Sequence, residues 1–474
     1  MLPIIATGNV ASATGGGFSV DNSCRFNSGD SAFLGANQFG NIAFDSTQKF
    51  TLSVWIKKTS NGVNNSIFGA ESDVGSDGKT TQFYFDTSDQ LRFYDNFDNV
   101  SDVKTNRVFR DNSAFYNIIL AVDTTQATDT NRIKLYVNGI QETSLATSTY
   151  ADQNDDITAL QQNRGIILGV NENTGGAKYG YFNGYMSEVC FIDNSSLDAT
   201  SFGEFDEDSP TIWKPKDVSG LTFGTNGFYC DFEDSANLGN DANGGTDFTE
   251  NNLAATDQAT DTPTNNFPTI NPLIKPAAAV PLTEGNLIGT FPGSWTALPA
   301  TFGLTAGKWY FEAKCVTGNG GNFFIGVVTE NQAWGDSSPY NETTGVFLYG
   351  PSGRKTVDNS SSEDFFGDVT SGDIIGVQLD LDSDPKTILF FLEGTATPDA
   401  TPLDLPDTFD DVITFPYFIG NSSSATANWE VNFGNPPYAN SSDAADENGY
   451  GAFEFAPDSG YLAICSKNLG SDGG

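Results

Sequence analysis

The sequence contains no histidine among its 474 residues. Histidine is the usual base in Ser-His-Asp and Cys-His catalysis and the commonest protein ligand of zinc. Its absence excludes those two catalytic arrangements and any histidine-ligated zinc site. An enzyme built from this chain would have to use carboxylates, tyrosine or lysine.

Basic residues are scarce. The chain has 22 Lys and Arg against 61 Asp and Glu, which gives a net charge of −39. Phosphate binding needs a basic surface and an anionic bilayer repels acid, so we expect neither a nucleic-acid partner nor membrane insertion. Two interpretations of the acid stay open: solubility at high local protein density, or loops that collect Ca²⁺.

Paired cysteines and long apolar runs are also lacking. The five cysteines are far apart and show no CxxC spacing, so they predict small buried side chains rather than a disulfide scaffold or a metal knuckle. No stretch approaches the roughly 20 apolar residues that cross a bilayer. The start "MLPIIATGNV" has no basic region of a signal peptide, so we expect no classical export signal.

Helix signals are poor, whereas short clusters of Gly, Asn, Asp, Ser and Thr separate many strand-like runs, which predicts an all-β protein. In "FTLSVWIKK", Leu52, Val54 and Ile56 alternate with other side chains, as on a strand with one buried face. One pattern occurs twice: Asp123 ends an apolar strand before "IKLYVNG", and Asp380 ends one before "ILFFLEG". Each Asp is interpreted as closing a strand before a hairpin.

Composition divides the chain into five segments. We predict a sandwich at 1–200, closing strands or a bridging subdomain at 201–251, an extended Pro/Thr/Asn-rich linker at 252–284, a second sandwich at 285–436 and a C-terminal extension at 437–474.

Ordered motifs connect both sandwiches to known families. "GKWYFEAKC", "FFIGVV", "SGDIIGVQLDLD" and "ILFFLEG" resemble a SPRY domain, with Glu393-Gly394 in place of the usual Asn-Gly. "FTLSVWIKK", "YNIILAVD", "IKLYVNG" and "GYMSEVCFID" resemble a LamG-type, concanavalin A-like domain. Both resemblances imply the same fold, two antiparallel sheets in a jelly-roll β-sandwich.

The pairing of these domains, with connectors such as "DTPTNNFPTINPL", resembles virion proteins of tailed phages. The resemblance implies a non-enzymatic fibre, spike or decoration protein that is made in the host cytoplasm and located in the virion. Its expected partners are other virion proteins, further copies of itself, and a carbohydrate or protein of the host surface. A purely architectural capsid or tail component is the alternative, since fold does not fix function.

A glycan-cleaving enzyme is the alternative of a different class. Retaining and inverting glycosidases need two carboxylates on either side of the scissile bond. In "GEFDEDSP", Glu204 and Asp206 fit the ExDxxE pattern of β-glucanase relatives, but Ser209 stands where the second Glu belongs. We therefore predict no catalytic residues and an acidic loop at this place.

Calcium stays open as the one cofactor. Ca²⁺ takes six to eight oxygen ligands, often from Asp-rich loops. The loop "LDLDSDPK" supplies Asp380, Asp382 and Asp384 as candidate ligands, although no loop of the chain fits the EF-hand pattern. The alternative is that these residues only form a turn.

Aromatic residues in loops are the candidate ligand-binding residues. "TENQAWGDSSPYNETTG" places Trp334 and Tyr340 in a polar loop, and Tyr349 follows in "TGVFLYG". An exposed aromatic ring can stack on a sugar or anchor a protein contact. In the competing interpretation, Trp334 folds back over the edge of the sandwich.

Overall fold

The computed structural model describes residues 17–35, 44–72, 78–162, 164–173, 176–316, 322–332, 334, 344–350, 353–357, 360–364, 368–396, 401–421 and 427–472. The chain divides into two compact units, which we call the N-terminal sandwich (14–264) and the C-terminal sandwich (265–474). Each consists of two β-sheets around a hydrophobic core, which confirms the predicted all-β architecture of two sandwiches in tandem.

The strands of the N-terminal sandwich are β1 (Ser23–Phe26), β2 (Phe33–Gly35), β3 (Lys49–Lys58), β4 (Asn65–Ser72), β5 (Thr81–Phe85), β6 (Gln90–Asp95), β7 (Ser101–Val108), β8 (Tyr116–Asp123), β9 (Ile133–Val137), β10 (Ile140–Gln141), β11 (Leu145–Thr149), β12 (Arg164–Leu168), β13 (Asn171–Glu172), β14 (Lys178–Tyr179), β15 (Gly184–Asp193), β16 (Gly203–Phe205), β17 (Trp213–Pro215), β18 (Phe228–Cys230), β19 (Thr249–Asn251) and β20 (Gln258–Ala259).

These strands form two antiparallel sheets and two small hairpins. Sheet A has the order β10-β9-β8-β3-β15-β1-β20, with β18 also on β15, and sheet B has the order β11-β7-β6-β5-β4-β12-β2-β19. The alternation expected for β3 is present, because Leu52, Val54 and Ile56 all point into the core between the sheets. Trp55 points to the outside of sheet A, where other parts of the chain cover it.

The strands of the C-terminal sandwich are β21 (Leu282–Thr283), β22 (Ile288–Phe291), β23 (Thr296–Pro299), β24 (Lys308–Cys315), β25 (Asn322–Thr329), β26 (Gly345–Tyr349), β27 (Arg354–Val357), β28 (Ser360–Asp364), β29 (Ile374–Asp380), β30 (Thr387–Leu392), β31 (Thr395–Ala396), β32 (Leu403–Asp404), β33 (Thr414–Asn421), β34 (Ala427–Asn432) and β35 (Leu462–Ala463). Helix α1 (Ser466–Asp472) follows.

Sheet C has the order β21-β22-β34-β24-β29-β30-β31, with β32 on β30 and β35 parallel to β24, and sheet D has the order β23-β33-β25-β26-β27-β28. Trp309 and Trp429 are 0% and 1% exposed in the core between these sheets. All five cysteines of the chain are free and buried, which confirms their predicted role as small core residues.

The structure divides the chain at a different place from the composition. Residues 201–264 complete the N-terminal sandwich, because β18, β19 and β20 pair with β15, β2 and β1. Ile270, from the segment predicted to be a linker, is fully buried in the C-terminal core. Prolines and threonines indicate an extended chain, but they do not reveal whether that chain is packed.

Helical structure is brief. Besides α1, single 3₁₀ turns lie at Asp129–Asn131, Thr158–Leu160, Ala199–Ser201, Ala255–Asp257 and Asp407–Phe409. In the part of the chain that the structure describes, no helix is both long and apolar enough to cross a membrane.

Candidate functional site

The four sheets differ in what lies on their outer faces. The outer face of sheet A is covered by the segment that contains Phe202, Trp213 and Phe223. The outer face of sheet C is covered by the C-terminal extension through Phe453 and Cys465. The outer faces of sheets B and D are therefore the surfaces to compare as binding sites.

The outer face of sheet B is polar. Along β5 and β6, Phe83, Phe85, Leu91 and Phe93 point into the core, so the residues between them point outward. The outward residues of three neighbouring strands form what we call the polar face: Gln82, Tyr84, Arg92, Tyr94, Asp102 and Lys104.

Arg92 is the centre of the polar face. Its Nε and one terminal nitrogen donate to the two carboxylate oxygens of Asp102 at 2.7 and 2.6 Å. Its other terminal nitrogen donates to the Tyr84 hydroxyl at 2.9 Å, and the guanidinium lies 5.5 Å from the centre of the Tyr94 ring. These contacts fix a planar cation whose side chain is still 29% exposed.

The electrostatics of the polar face follow from these contacts. The bidentate hydrogen bonds that Arg92 donates to Asp102 raise the pKa of Arg92, so its positive charge is permanent. Burial raises the pKa of Tyr84, which therefore keeps its proton and stays a neutral hydroxyl. Lys104 lies 3.4 Å from Asp86. The polar face is thus locally balanced in charge, although the chain as a whole is strongly acidic.

The polar face continues toward the β13–β14 hairpin. The backbone carbonyl of Glu172 accepts from Thr80 at 3.1 Å and from Gln82 at 3.4 Å. Tyr179, on β14, is half-buried, and burial raises its pKa. The arrangement offers hydroxyl, amide and guanidinium groups beside aromatic rings, which are the groups that recognise a flat, hydroxyl-rich ligand.

The outer face of sheet D is aromatic instead. Phe324, Phe347, Phe415 and Tyr417 are buried there, and Trp295, Trp334 and Tyr349 pack on them; we call these seven residues the aromatic face. The structure thus brings two of the predicted ligand-binding residues, Trp334 and Tyr349, into one cluster. The third, Tyr340, lies outside the described residues.

Trp334 lies against the sheet. Its ring is 5.5 Å from that of Phe415 and 6.0 Å from that of Tyr417, edge to face, and the residue is half-buried. Tyr349 lies 4.7 Å from Phe324. This geometry corresponds to the interpretation in which Trp334 folds back over the sandwich, with part of its surface left for contact.

The three aspartates considered for Ca²⁺ have separate partners. Asp380 accepts the backbone N–H groups of Asp382 and Ser383 at 3.0 Å each and lies 2.8 Å from the Lys308 ammonium. Asp382 accepts from the N–H of Gly307 at 2.7 Å, and Asp384 is exposed. Across the described ranges, no three His, Cys, Asp or Glu side chains are placed to hold a metal ion together.

Glu204 and Asp206 share one lysine. Lys214, on the paired strand β17, lies 3.6 Å from Glu204 and 3.5 Å from Asp206. Hydrogen bonds from the backbone of Ser209 and Asp208 lower the pKa of Asp206. A glycosidase acid needs a raised pKa, which Asp206 does not have.

Sequence reasoning missed Arg92, Tyr84 and Tyr94. A signal was present, because "QFYF" and "QLRFYD" place Tyr and Arg at alternate positions between core phenylalanines. Such positions point away from the core of a sandwich. What the alternation does not reveal is how far other parts of the chain cover each outer face: Tyr84 is 7% exposed, whereas the Arg92 side chain is 29% exposed.

Comparison with protein families agrees with this architecture. Residues 29–199 match the family model described as "Concanavalin A-like lectin/glucanases superfamily", and residues 308–435 match the SPRY domain. The chain therefore contains an N-terminal LamG-type, concanavalin A-like domain and a C-terminal SPRY domain. Both domain types fit a ligand-binding β-sandwich protein.

Solved structures show weaker likenesses. The SPRY domain of human HERC1 is 20% identical over 34% of this chain and 96% of that one, with a TM-score of 0.28. A SAP-like pentraxin from Limulus polyphemus is 13% identical over 38% and 78%, with a TM-score of 0.26. The CBM40 domain of the Ruminococcus gnavus IT-sialidase, bound to alpha2,3 sialyllactose, is 14% identical over 37% and 89%, with a TM-score of 0.24. No curated protein matches the chain.

Proposed function

We propose that this chain is a non-enzymatic structural protein of a tailed-phage virion and that it binds glycans of the host surface through the polar face. The observation that supports glycan binding is the fixed Arg92 guanidinium, held by Asp102 and Tyr84 at 2.6 to 2.9 Å while 29% of the side chain stays exposed. A planar donor that is already fixed loses little conformational entropy when a sugar binds.

Glycan binding is tested with the full chain on a glycan array. Wild type is expected to bind a subset of the glycans, and Arg92→Lys is expected to lose that binding about tenfold or more, because lysine cannot form the bidentate bond to Asp102. Arg107→Lys is the matched control: Arg107 pairs with Glu142 at 2.7 Å, on the same sheet but outside the polar face. Equal loss in both variants, or no binding by wild type, would contradict the proposal.

The virion assignment is supported by the resemblance of the domain pairing and its connectors to phage virion proteins, and it has a separate test. Antibodies raised against the full chain are expected to label purified particles in electron microscopy. Label that is found only in the soluble fraction of lysed cells would contradict a virion protein and would leave the glycan result standing.

The proposal includes the absence of catalysis. Glu204 and Asp206 are both held by Lys214, and the lowered pKa of Asp206 does not suit a general acid. Wild type incubated with the glycans that it binds is expected to leave them intact. Glycan cleavage that disappears in the Glu204→Gln, Asp206→Asn double variant would contradict this part.

The aromatic face is the second candidate surface, and we propose it for contacts with other virion proteins. Half-buried Trp295, Trp334 and Tyr349 are the residue types that dominate protein interfaces. Trp334→Ala is expected to weaken rebinding of the chain to particles that lack it, without changing the glycan-array pattern. Unchanged rebinding would favour another contact surface.

A further inference from the structure

Among the described residues, a terminal strand of each sheet of the N-terminal sandwich lies within one stretch of ten residues. β10 is the terminal strand of sheet A and β11 is the terminal strand of sheet B. Residues 140–149 contain both strands, and we call this segment the free edge. A terminal strand presents N–H and C=O groups that a further strand can pair with.

Strand β11 differs from the other terminal strands in the described part of the chain. It has five residues, LATST, with neither charge nor proline, and Ser148 and Thr149 are exposed. Most of the other terminal strands are only two or three residues long. Of the two longer ones, β23 is buried and ends in proline, and β28 has the acidic sequence SSSED. Natural proteins protect long edges with charge, proline, a β-bulge or a cover, and of these β11 has only an irregularity in its pairing with β7 between Leu145 and Thr147.

Apolar side chains are exposed along the free edge. Ile140 is 61% exposed, Val108 at the end of the neighbouring strand β7 is 46% exposed, and Phe205 is 40% exposed. The Phe205 ring packs on Trp213 at 4.9 Å, and Trp213 contacts Gly139, the residue before Ile140. These are three of the five exposed large apolar residues within the described ranges.

The free edge is also a place where two copies of this acidic chain can approach. Each copy carries a net charge of −39, so copies repel each other over most of their surface. Near β11, however, three acidic residues have basic partners. Arg107 lies 2.7 Å from Glu142, Lys104 lies 3.4 Å from Asp86, and Arg92 lies 2.6 Å from Asp102.

We infer that β11 pairs antiparallel with β11 of a second copy of this chain, around a two-fold axis perpendicular to sheet B. The pairing is self-complementary, as an isologous interface requires, and it joins two sheets B into one continuous sheet.

This symmetry has a consequence for binding. A two-fold axis perpendicular to the sheet keeps both polar faces on the same side, so one dimer presents two copies of the polar face to one surface. Two linked weak sites bind a dense array of ligands more tightly than one site does. This consequence rests on the proposed glycan function, whereas the pairing itself does not.

The test is the mass of the full chain in solution, measured by sedimentation equilibrium across a dilution series. Wild type is expected at twice the mass of one chain. Ser148→Lys adds a like charge to both strands of the pair and is expected to weaken the dimer about tenfold. Thr87→Lys is the matched control, because Thr87 is exposed in the β5–β6 turn and the charge change is the same. A monomeric wild type, or equal dimers of wild type and Ser148→Lys, would overturn the inference.

Single cysteines give a second measurement that does not depend on weakening the dimer. The five native thiols are all buried, so a cysteine introduced at position 146, 147, 148 or 149 is readily distinguished from them. At least one of these four variants is expected to form a disulfide-linked dimer under mild oxidation, and Thr87→Cys is not. Failure of all four to exceed Thr87→Cys would overturn the pairing, whatever the glycan array shows.

Discussion

The two sandwiches build the same hairpin from different residues. In the N-terminal sandwich, Lys49 at the start of β3 lies opposite Asp123 at the end of β8. In the C-terminal sandwich, Lys308 at the start of β24 lies opposite Asp380 at the end of β29. Sheets A and C also share a strand order, since β10-β9-β8-β3-β15-β1 corresponds to β31-β30-β29-β24-β34-β22. The repeated Asp is thus a feature of the fold.

The turn after each hairpin strengthens the correspondence. Asn138-Gly139 and Glu393-Gly394 both have positive φ at the two central residues, as type I′ turns require. Glu393 at a left-handed position is unusual, but its carboxylate accepts the N–H of Ile374 at 2.6 Å, just as the Asn138 side chain accepts the N–H of Asn117 at 2.8 Å. A local hydrogen bond compensates for the less suitable residue.

The sandwiches differ where the fold makes no demand. The outer face of sheet B carries Arg92 and Tyr94, whereas the outer face of sheet D carries Trp334 and Tyr349. The fold requires apolar residues only on the inner side of each sheet, so the residues of the outer side can differ between the two sandwiches. Function is therefore best sought on the outer faces rather than in the shared hairpins.

The largest expected effect concerns a buried charge on the outer side of sheet A. The Lys57 ammonium lies 2.7 Å from Asp261, and both side chains are 0% exposed. Lys57→Met leaves the Asp261 carboxylate buried without its cation, which is expected to cost about 3–5 kcal/mol of unfolding free energy. The measurement is the urea midpoint of the full chain.

The C-terminal sandwich provides the contrast. On sheet C, the buried carboxylate of Glu312 accepts from neutral groups: the Tyr310 hydroxyl at 3.0 Å, the Asn432 amide at 3.1 Å, and the N–H groups of Glu454 and Phe455 at 3.0 and 2.8 Å. Glu312→Gln is expected to cost less, about 1–3 kcal/mol.

The double variant Lys57→Met, Asp261→Asn should recover part of the stability that Lys57→Met loses. No recovery would indicate that packing of the Lys57 stem, rather than charge, matters.

The next effect tests the turn glycines. Gly139 and Gly394 have φ of 78° and 67°, and a Cβ at either would overlap an aromatic ring, Trp213 or Phe455. Alanine at either position is expected to cost about 2–3 kcal/mol, through backbone strain together with overlap. The shift in thermal unfolding temperature measures this cost.

Two other glycines separate these causes. Gly62 and Gly372 also have positive φ, 75° and 98°, but a Cβ there meets nothing within 4 Å. Alanine at these sites strains only the backbone, so it should lower the free energy of unfolding by about 1 kcal/mol. Equal losses of stability at all four positions would show that overlap with the Trp213 and Phe455 rings contributes nothing.

Much of this architecture could be predicted from the sequence. Alternation placed Leu52, Val54 and Ile56 in the core, because this signal depends on neighbours along the chain. The packing of residues 252–284 and the partial exposure of the outer face of sheet B around Arg92 were not predicted. Both depend on which distant segment covers a face, and composition carries no information on that.

The third prediction concerns pH and an unusual residue of β15. Glu188 has a φ of 50° at an irregularity in the pairing with β3, is 6% exposed, and accepts from the Tyr229 hydroxyl at 2.6 Å. Burial raises the pKa of Glu188 to about 7 from an ordinary value of 4.5. The folded chain therefore keeps a proton over a pH range in which the unfolded chain has lost it.

The sign follows from that difference. A raised pKa stabilises the folded state below the unfolded value, and this contribution is lost as pH rises from about 4.5 through about 7. The loss should amount to about 3 kcal/mol, measured by urea unfolding at several pH values. Glu188→Gln should remove that part of the pH dependence, while Glu233→Gln, at an exposed acid nearby, should keep it. Identical pH profiles for the two variants would contradict the assignment to Glu188.

The smallest effect returns to the paired hairpins. Lys308 lies 2.8 Å from Asp380 and Lys49 lies 3.7 Å from Asp123, with lysine side chains 42% and 33% exposed. Exposed pairs contribute about 0.2–1 kcal/mol, so Lys308→Met should cost slightly more than Lys49→Met, and both costs should shrink in high salt. Lys216→Met, at an exposed lysine, serves as the control.

The aspartate side of each pair should matter more than the lysine side. Asp380 also accepts two backbone N–H groups in its turn, and Asp123 accepts the N–H of Thr125 at 3.1 Å and the Gln126 amide at 2.7 Å. Alanine at either aspartate removes these bonds together with the ion pair, so it should cost about 1–2 kcal/mol. If the lysine variants proved as costly as the aspartate variants, the ion pair, rather than the turn, would explain why this Asp occurs in both sandwiches.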